Sequence, residues 1–194
     1  MENSLFEVGK LASKHLTILA TLQILLLLVL FNLSAKEVIA IPGVGISMER
    51  LDTLSILLLL VYLALWKFMS CLFYQMKLVL NFSNISCKNS DLGAVYHYVY
   101  PSALNYLLFH HYMNSGKPLR INVLMALSLM ITFIAFPFIS TIYLSGSWVF
   151  EMFEHGIKVS NVLFLAISFF SVAIVSWILE HLRWLKSEMP KQEA

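Results

Sequence analysis

From Leu16 to Leu33 the chain runs 18 residues without one charged side chain. Such a run is long enough to cross the roughly 30 Å hydrocarbon core of a bilayer, which takes about 20 helical residues. Three more runs of the same kind follow, near residues 51–70, 121–144 and 161–182. Hydrophobic residues make up 59% of the 194 and charged residues only 12%. A soluble domain holds about 45–50% apolar and about 25% charged residues. No water-facing surface can be built from this composition, whereas lipid requires no charge. The expected fold is all-α: a polytopic membrane protein with four transmembrane helices and a cytoplasmic helical extension. The first run exceeds the 7–15 apolar residues of a secretory signal, so an uncleaved anchor is expected.

The second apolar stretch continues from Leu51 to Phe82. As one helix it measures about 48 Å, well beyond the hydrocarbon core. Lys67 sits where a long side chain snorkels to the headgroups, so residues 51–70 are read as span and 71–82 as a stalk. A polar linker is expected from Ser83 to Asp91, then a short amphipathic helix over 101–113 with Pro101 in its first turn. Residues 71–120 thus form the cytoplasmic stalk and amphipathic segment. Between the first two spans, Ile41-Pro42-Gly43-Val44-Gly45 reads as a compact turn. Pro137 is expected to kink the third span, because proline cannot donate the intrahelical bond at its position.

Lys and Arg set the orientation. Nine flank the ends that share a side with both termini, among them Lys10, Lys14, Lys77, Lys117, Arg120 and Arg183. Three flank the other side: Lys36, Arg50 and Lys158. The termini are therefore expected in the cytoplasm, in a multi-pass arrangement. Cys71 and Cys87 then lie on the reducing side, and no disulfide is expected.

Candidate chemistry is sparse. No span carries a mid-depth carboxylate, which argues against an ion-coupled transporter. Glu180 and His181 are read as interfacial anchors. Ser128, Thr132, Ser140, Thr141, Ser168, Ser171 and Ser176 are read as helix-packing positions, with a hydrated groove as the alternative. Glu151, Glu154 and His155 share a helical face in the outer loop, where a solvated face outweighs a cation site. His97, His110 and His111 have no cysteine or carboxylate at zinc spacing. No catalytic, cofactor or metal residues are assigned, and an enzyme is not expected. With net charge +2 and no Lys/Arg run, direct nucleic-acid binding is not expected either. Tyr96, Tyr98, Tyr100, Tyr106 and His110 form the candidate partner-binding surface, since aromatics are enriched at interface hot spots.

Two short stretches carry a resemblance. Ile41-Pro42-Gly43-Val44-Gly45-Ile46, entering a Leu-rich span, and Tyr100-Pro101-Ser102-Ala103-Leu104-Asn105 resemble four-span modules of bacterial pentapeptide-repeat membrane proteins. No repeat domain follows them here. In size and architecture the chain is also similar to the membrane subunit, KwaA, of the Kiwa anti-phage defence system, without a diagnostic motif. That resemblance implies a homotetramer in the bacterial inner membrane, sensing of phage attachment or membrane disturbance, and a soluble cytoplasmic, DNA-binding effector of the KwaB kind. The function expected is a sensor or scaffold subunit that recruits this effector. The alternative is a pore-forming effector or small channel.

Overall fold

A computed structural model describes residues 2–31, 38–40, 47–86, 124, 128, 131–143, 153 and 158–188. The first helix, α1, spans Glu2–Phe31, and the second, α2, spans Arg50–Ser86. Two three-residue strands join them, β1 (Val38–Ala40) and β2 (Ser47–Glu49), paired antiparallel with Ile39 opposite Met48. Residues 131–143 are helical and form α3, which opens with a π-helical turn, Ile131–Ala135. The last helix, α4, spans Val159–Glu188.

Among the described residues, three stretches are long and apolar enough to cross a membrane: Ser4–Leu30, Arg50–Val79 and Asn161–Trp184. The chain is therefore helical and compatible with a multi-pass membrane protein. The outward faces point the same way. Ile142 is 73% exposed, Phe169 72% and Leu165 68%, an arrangement that water penalises and lipid accepts. The expected span over 121–144 is described only at Leu124, Ser128 and 131–143.

Heptad spacing organises the interior. On α1, Leu5, Ala12, Leu19 and Leu26 are fully buried at intervals of seven, with Gly9, Leu16, Gln23 and Leu30 between them. On α2 the same alternation of four and three runs through Leu54, Leu58, Val61, Leu65, Phe68, Leu72, Gln75 and Val79. Matching seams of this period let two helices interlock along their whole length. Gly9 and Ala12, both buried, place small residues on the α1 seam at the same end as Phe68 of the α2 seam. At the other end the strand pair and Arg50, whose guanidinium donates to the Leu30 carbonyl at 2.9 Å, close the hairpin. That bond satisfies one of the carbonyls left open at the end of α1.

A second face of α2, through Ser55, Tyr62, Met69 and Phe73, receives the other helices. Contacts between α2 and α4 rise in step along both chains. Glu49 pairs with Lys158 at 3.5 Å, Phe73 meets Trp177 at 5.3 Å, and the Lys77 ammonium lies 5.9 Å from the Trp184 ring. Consequently α2 and α4 run parallel, while α1 and α2 run antiparallel.

Two local expectations need correction. Helix α2 continues to Ser86, through the first four residues of the expected polar linker. Once nucleated, a helix gains one hydrogen bond per residue added, and this outweighs the modest propensities of Ser and Asn. Helix α1 starts at Glu2, well before the apolar run, because Leu5, Gly9 and Ala12 extend its packing seam outward. The Pro-Gly segment between the strands, residues 41–46, lies outside the described residues.

Overpacking the seam tests its geometry. Gly9→Leu should destabilise the bundle by about 1–3 kcal/mol in a reversible unfolding assay in detergent. Leu28→Ala, on a side chain 61% exposed, should leave the midpoint nearly unchanged.

Candidate functional site: polar contacts between the helices

Proline at 137 shapes the centre of the bundle. In a π turn the carbonyl of residue i pairs with the amide of residue i+5. The partner due to the Thr132 carbonyl is therefore the amide of residue 137, which proline lacks. Lipid offers no replacement, because an unsatisfied backbone group in hydrocarbon costs several kcal/mol. Gln23 supplies one: its Nε2 donates to the Thr132 carbonyl at 3.3 Å, across from α1. Gln23 is only 3% exposed and occupies a seam position. A lone polar residue in such a seam fixes register.

One turn later a second polar contact forms. Thr141 donates its only hydroxyl proton to the Pro137 carbonyl at 2.8 Å. The Tyr62 phenol, fully buried on α2, therefore donates to Thr141 Oγ1, also at 2.8 Å. Ser171 of α4 lies beside the same phenol and gives its own proton to the Ile167 carbonyl at 2.8 Å. Edge-on packing of Phe138 against Tyr62, centroids 5.7 Å apart, completes the node. Helices α2, α3 and α4 thus meet at one phenol.

Toward the end of the bundle that holds the N-terminus, aromatic contacts take over. Phe73, Trp177 and His181 stack on one another, with Trp177 and His181 centroids 4.3 Å apart. His181 Nδ1 lies 2.9 Å from the Trp177 carbonyl. Lys67 stands over the Trp66 ring at 5.2 Å. Trp and Lys at this depth suit the bilayer interface.

No family model, curated protein or solved structure matches this chain. Its site residues are therefore read from chemistry alone.

The hydroxyls of the third and fourth runs divide by position. Thr141 and Ser171 join the interhelical node, Ser140 is buried, and Ser128 and Ser176 are exposed. His181 is more than a headgroup anchor, since it is half-buried in the aromatic stack. Glu180 is exposed beside it. The candidate partner surface, Tyr96, Tyr98, Tyr100, Tyr106 and His110, lies outside the described residues, as do His97, His111, Glu151, Glu154, His155 and Cys87. Among the described residues no three His, Cys, Asp or Glu side chains converge. In the sequence Gln23 stands as a lone amide in the middle of the apolar run from Leu16 to Leu33. The signal that reveals its role is the pairing of a lone amide in an apolar helix with a proline on another apolar helix.

A double-mutant cycle on Gln23→Leu and Pro137→Ala checks this account. Gln23→Leu alone should cost about 0.6–1.7 kcal/mol, the range of intramembrane hydrogen bonds. With alanine at 137 the backbone regains its amide, and the effect of Gln23→Leu should fall toward zero. Equal effects in both backgrounds would show that Gln23 does not serve the proline gap.

Proposed function

We propose that this chain is a four-span sensor or scaffold subunit of a bacterial anti-phage defence complex. In this reading the chain lies in the bacterial inner membrane with both termini in the cytoplasm, and it holds a soluble effector on that side. The observation that carries the scaffold reading is how the interior spends its polar groups. Gln23, Tyr62, Thr141 and Ser171 are neutral and bonded to other helices or to their own backbone. The ionisable groups of the described spans sit toward the ends: Arg50 and Asp52 at one, Lys67, Lys77 and His181 at the other. A transport path needs ionisable or hydrated groups at mid-depth. A bundle held by neutral bonds suits rigid presentation.

Direction supports a fourth span. Parallel spans α2 and α4 require the intervening chain to recross the bilayer, and α3 already contacts α1 and α2 through Gln23 and Tyr62. The defence role rests on the resemblance to the Kiwa membrane subunit. A homo-oligomer, a tetramer by that resemblance, is supported by the outer face of α4, where exposed Ala173 and Ser176 interrupt the apolar side chains. The effector would dock on the segment that holds Tyr96, Tyr98, Tyr100, Tyr106 and His110. A pore is the second reading, favoured by the exposed Ser128 and Ser176.

Affinity purification of the tagged full-length chain in mild detergent tests the proposal. A stoichiometric soluble protein should co-purify and be lost when residues 87–116 are deleted, with the spans still inserted. A bare homo-oligomer that releases dye from liposomes would establish the pore instead.

A further inference from the structure

Two cavities lie on one flank of α1. The first is an open pocket of about 440 Å³ with mixed walls, lined by Glu7, Lys10, Leu11, Ser13, Lys14 and Thr17. The second is an apolar groove of about 390 Å³ between α1 and α3, walled by Ala20, Ile24, Leu27, Phe136 and Ile139. One row of side chains joins them, because Ser13, Thr17, Ala20, Ile24 and Leu27 recur at helical intervals of four and three. From Ser13 to Leu27 the row is about 21 Å long.

We propose that one phospholipid binds along this row, its phosphodiester between Lys10 and Lys14 and one acyl chain in the groove between α1 and α3. Depth places the two cavities correctly. Counting about 20 residues back from Phe31 sets the hydrocarbon boundary near residue 12. Ser13 and Lys14 therefore stand at headgroup level, Lys10 and Glu7 just outside it, and the groove inside the hydrocarbon. Charge fits as well. Lys10 and Lys14 are exposed, and no ion pair among the described residues engages either. Glu7 offsets one of them, leaving a single net positive charge, the match for one phosphodiester. Thr17 commits its proton to the Ser13 carbonyl at 3.1 Å. The Ser13 hydroxyl is buried and the Thr17 hydroxyl is committed, so the two lysines are left as the donors to the phosphate. An inorganic anion would satisfy only the pocket, whereas a phospholipid fills both cavities. Glu7 sets its carboxylate against lipids with more than one phosphate.

The test uses the full chain, exchanged from mild detergent into vesicles of phosphatidylethanolamine and phosphatidylglycerol, then re-extracted. Native mass spectrometry counts the lipids retained. Wild type should keep one phospholipid per chain. Lys10→Gln with Lys14→Gln should reduce retention at least about tenfold, since charge-assisted bonds of this kind exceed the 1.4 kcal/mol that a factor of ten represents. Ile24→Trp, which fills the groove and leaves the lysines in place, should reduce it similarly. The lysine variant alters only exposed side chains, so it remains informative if Ile24→Trp fails to insert. A lipid-free wild type, or a lysine variant that retains lipid like wild type, would overturn the proposal. Loss in the lysine variant with full retention in an inserted Ile24→Trp would also overturn it, since the headgroup would then bind without the groove.

Discussion

A backbone carbonyl in hydrocarbon has no water to turn to. This constraint governs the centre of the bundle. Pro137 deprives α3 of an amide donor, and the helix responds with a π turn one residue upstream of the Phe136–Pro137 pair. The gap is then closed from outside by the Gln23 amide, and the following turn is secured by Thr141 on the Pro137 carbonyl. Because Thr141 is also held by Tyr62, the disturbance that proline introduces becomes the means by which α3 is fixed to both α1 and α2. A proline in a soluble helix is repaired by solvent; here its repair requires neighbouring helices, and so it specifies them.

Helix α2 is the element against which the others are arranged. It carries a heptad seam that matches the seam of α1, and beside it a second line, Tyr62 and Phe73 included, that receives α3 and α4. Lipid tails are as apolar as leucine, so association of such helices draws on close packing and on hydrogen bonds rather than on escape from water. Gly9 and Ala12 supply the close packing, Gln23 and Tyr62 the bonds. The strand pair and the Arg50–Leu30 contact add a third device, a short hairpin that ties the end of α1 to the start of α2.

How much of this was legible in the sequence depends on contrast. The runs near Leu16–Leu33, Leu51–Ser70 and Asn161–Leu182 were legible because charge is absent from the first and confined to the ends of the other two, at Asp52, Lys67 and Glu180, and the length of α2 was legible because its apolar pattern ran past any bilayer. Proline chemistry pointed to a missing intrahelical bond at Pro137, but the π turn and the Gln23 partner were not legible, since they depend on where a residue more than a hundred positions away is placed. The packing seams were hidden for another reason. In α1, Leu25 and Leu28 face outward while Leu19 and Leu26 face inward, and the same residue type serves lipid and protein. Periodicity needs two kinds of face, and a membrane helix has only one. The strand pair was missed because three-residue strands on either side of a Pro-Gly turn carry too little alternation to register.

The two ends of the bundle use their cations differently, and this bears on what each end can do. At the hairpin end Arg50 is bonded to a carbonyl and Lys158 is paired with Glu49. At the end that holds the N-terminus, Lys10, Lys14, Lys67, Lys77 and Arg183 remain exposed, with Lys67 and Lys77 resting over tryptophan rings. Cations engaged within the protein stabilise it locally and add little field outside. Exposed cations over aromatic rings, at the depth where hydrocarbon gives way to headgroups, act on the phosphates of the bilayer. The bundle is therefore polarised by how its charges are engaged as well as by their number, and the end with exposed cations is the one equipped to meet a lipid surface.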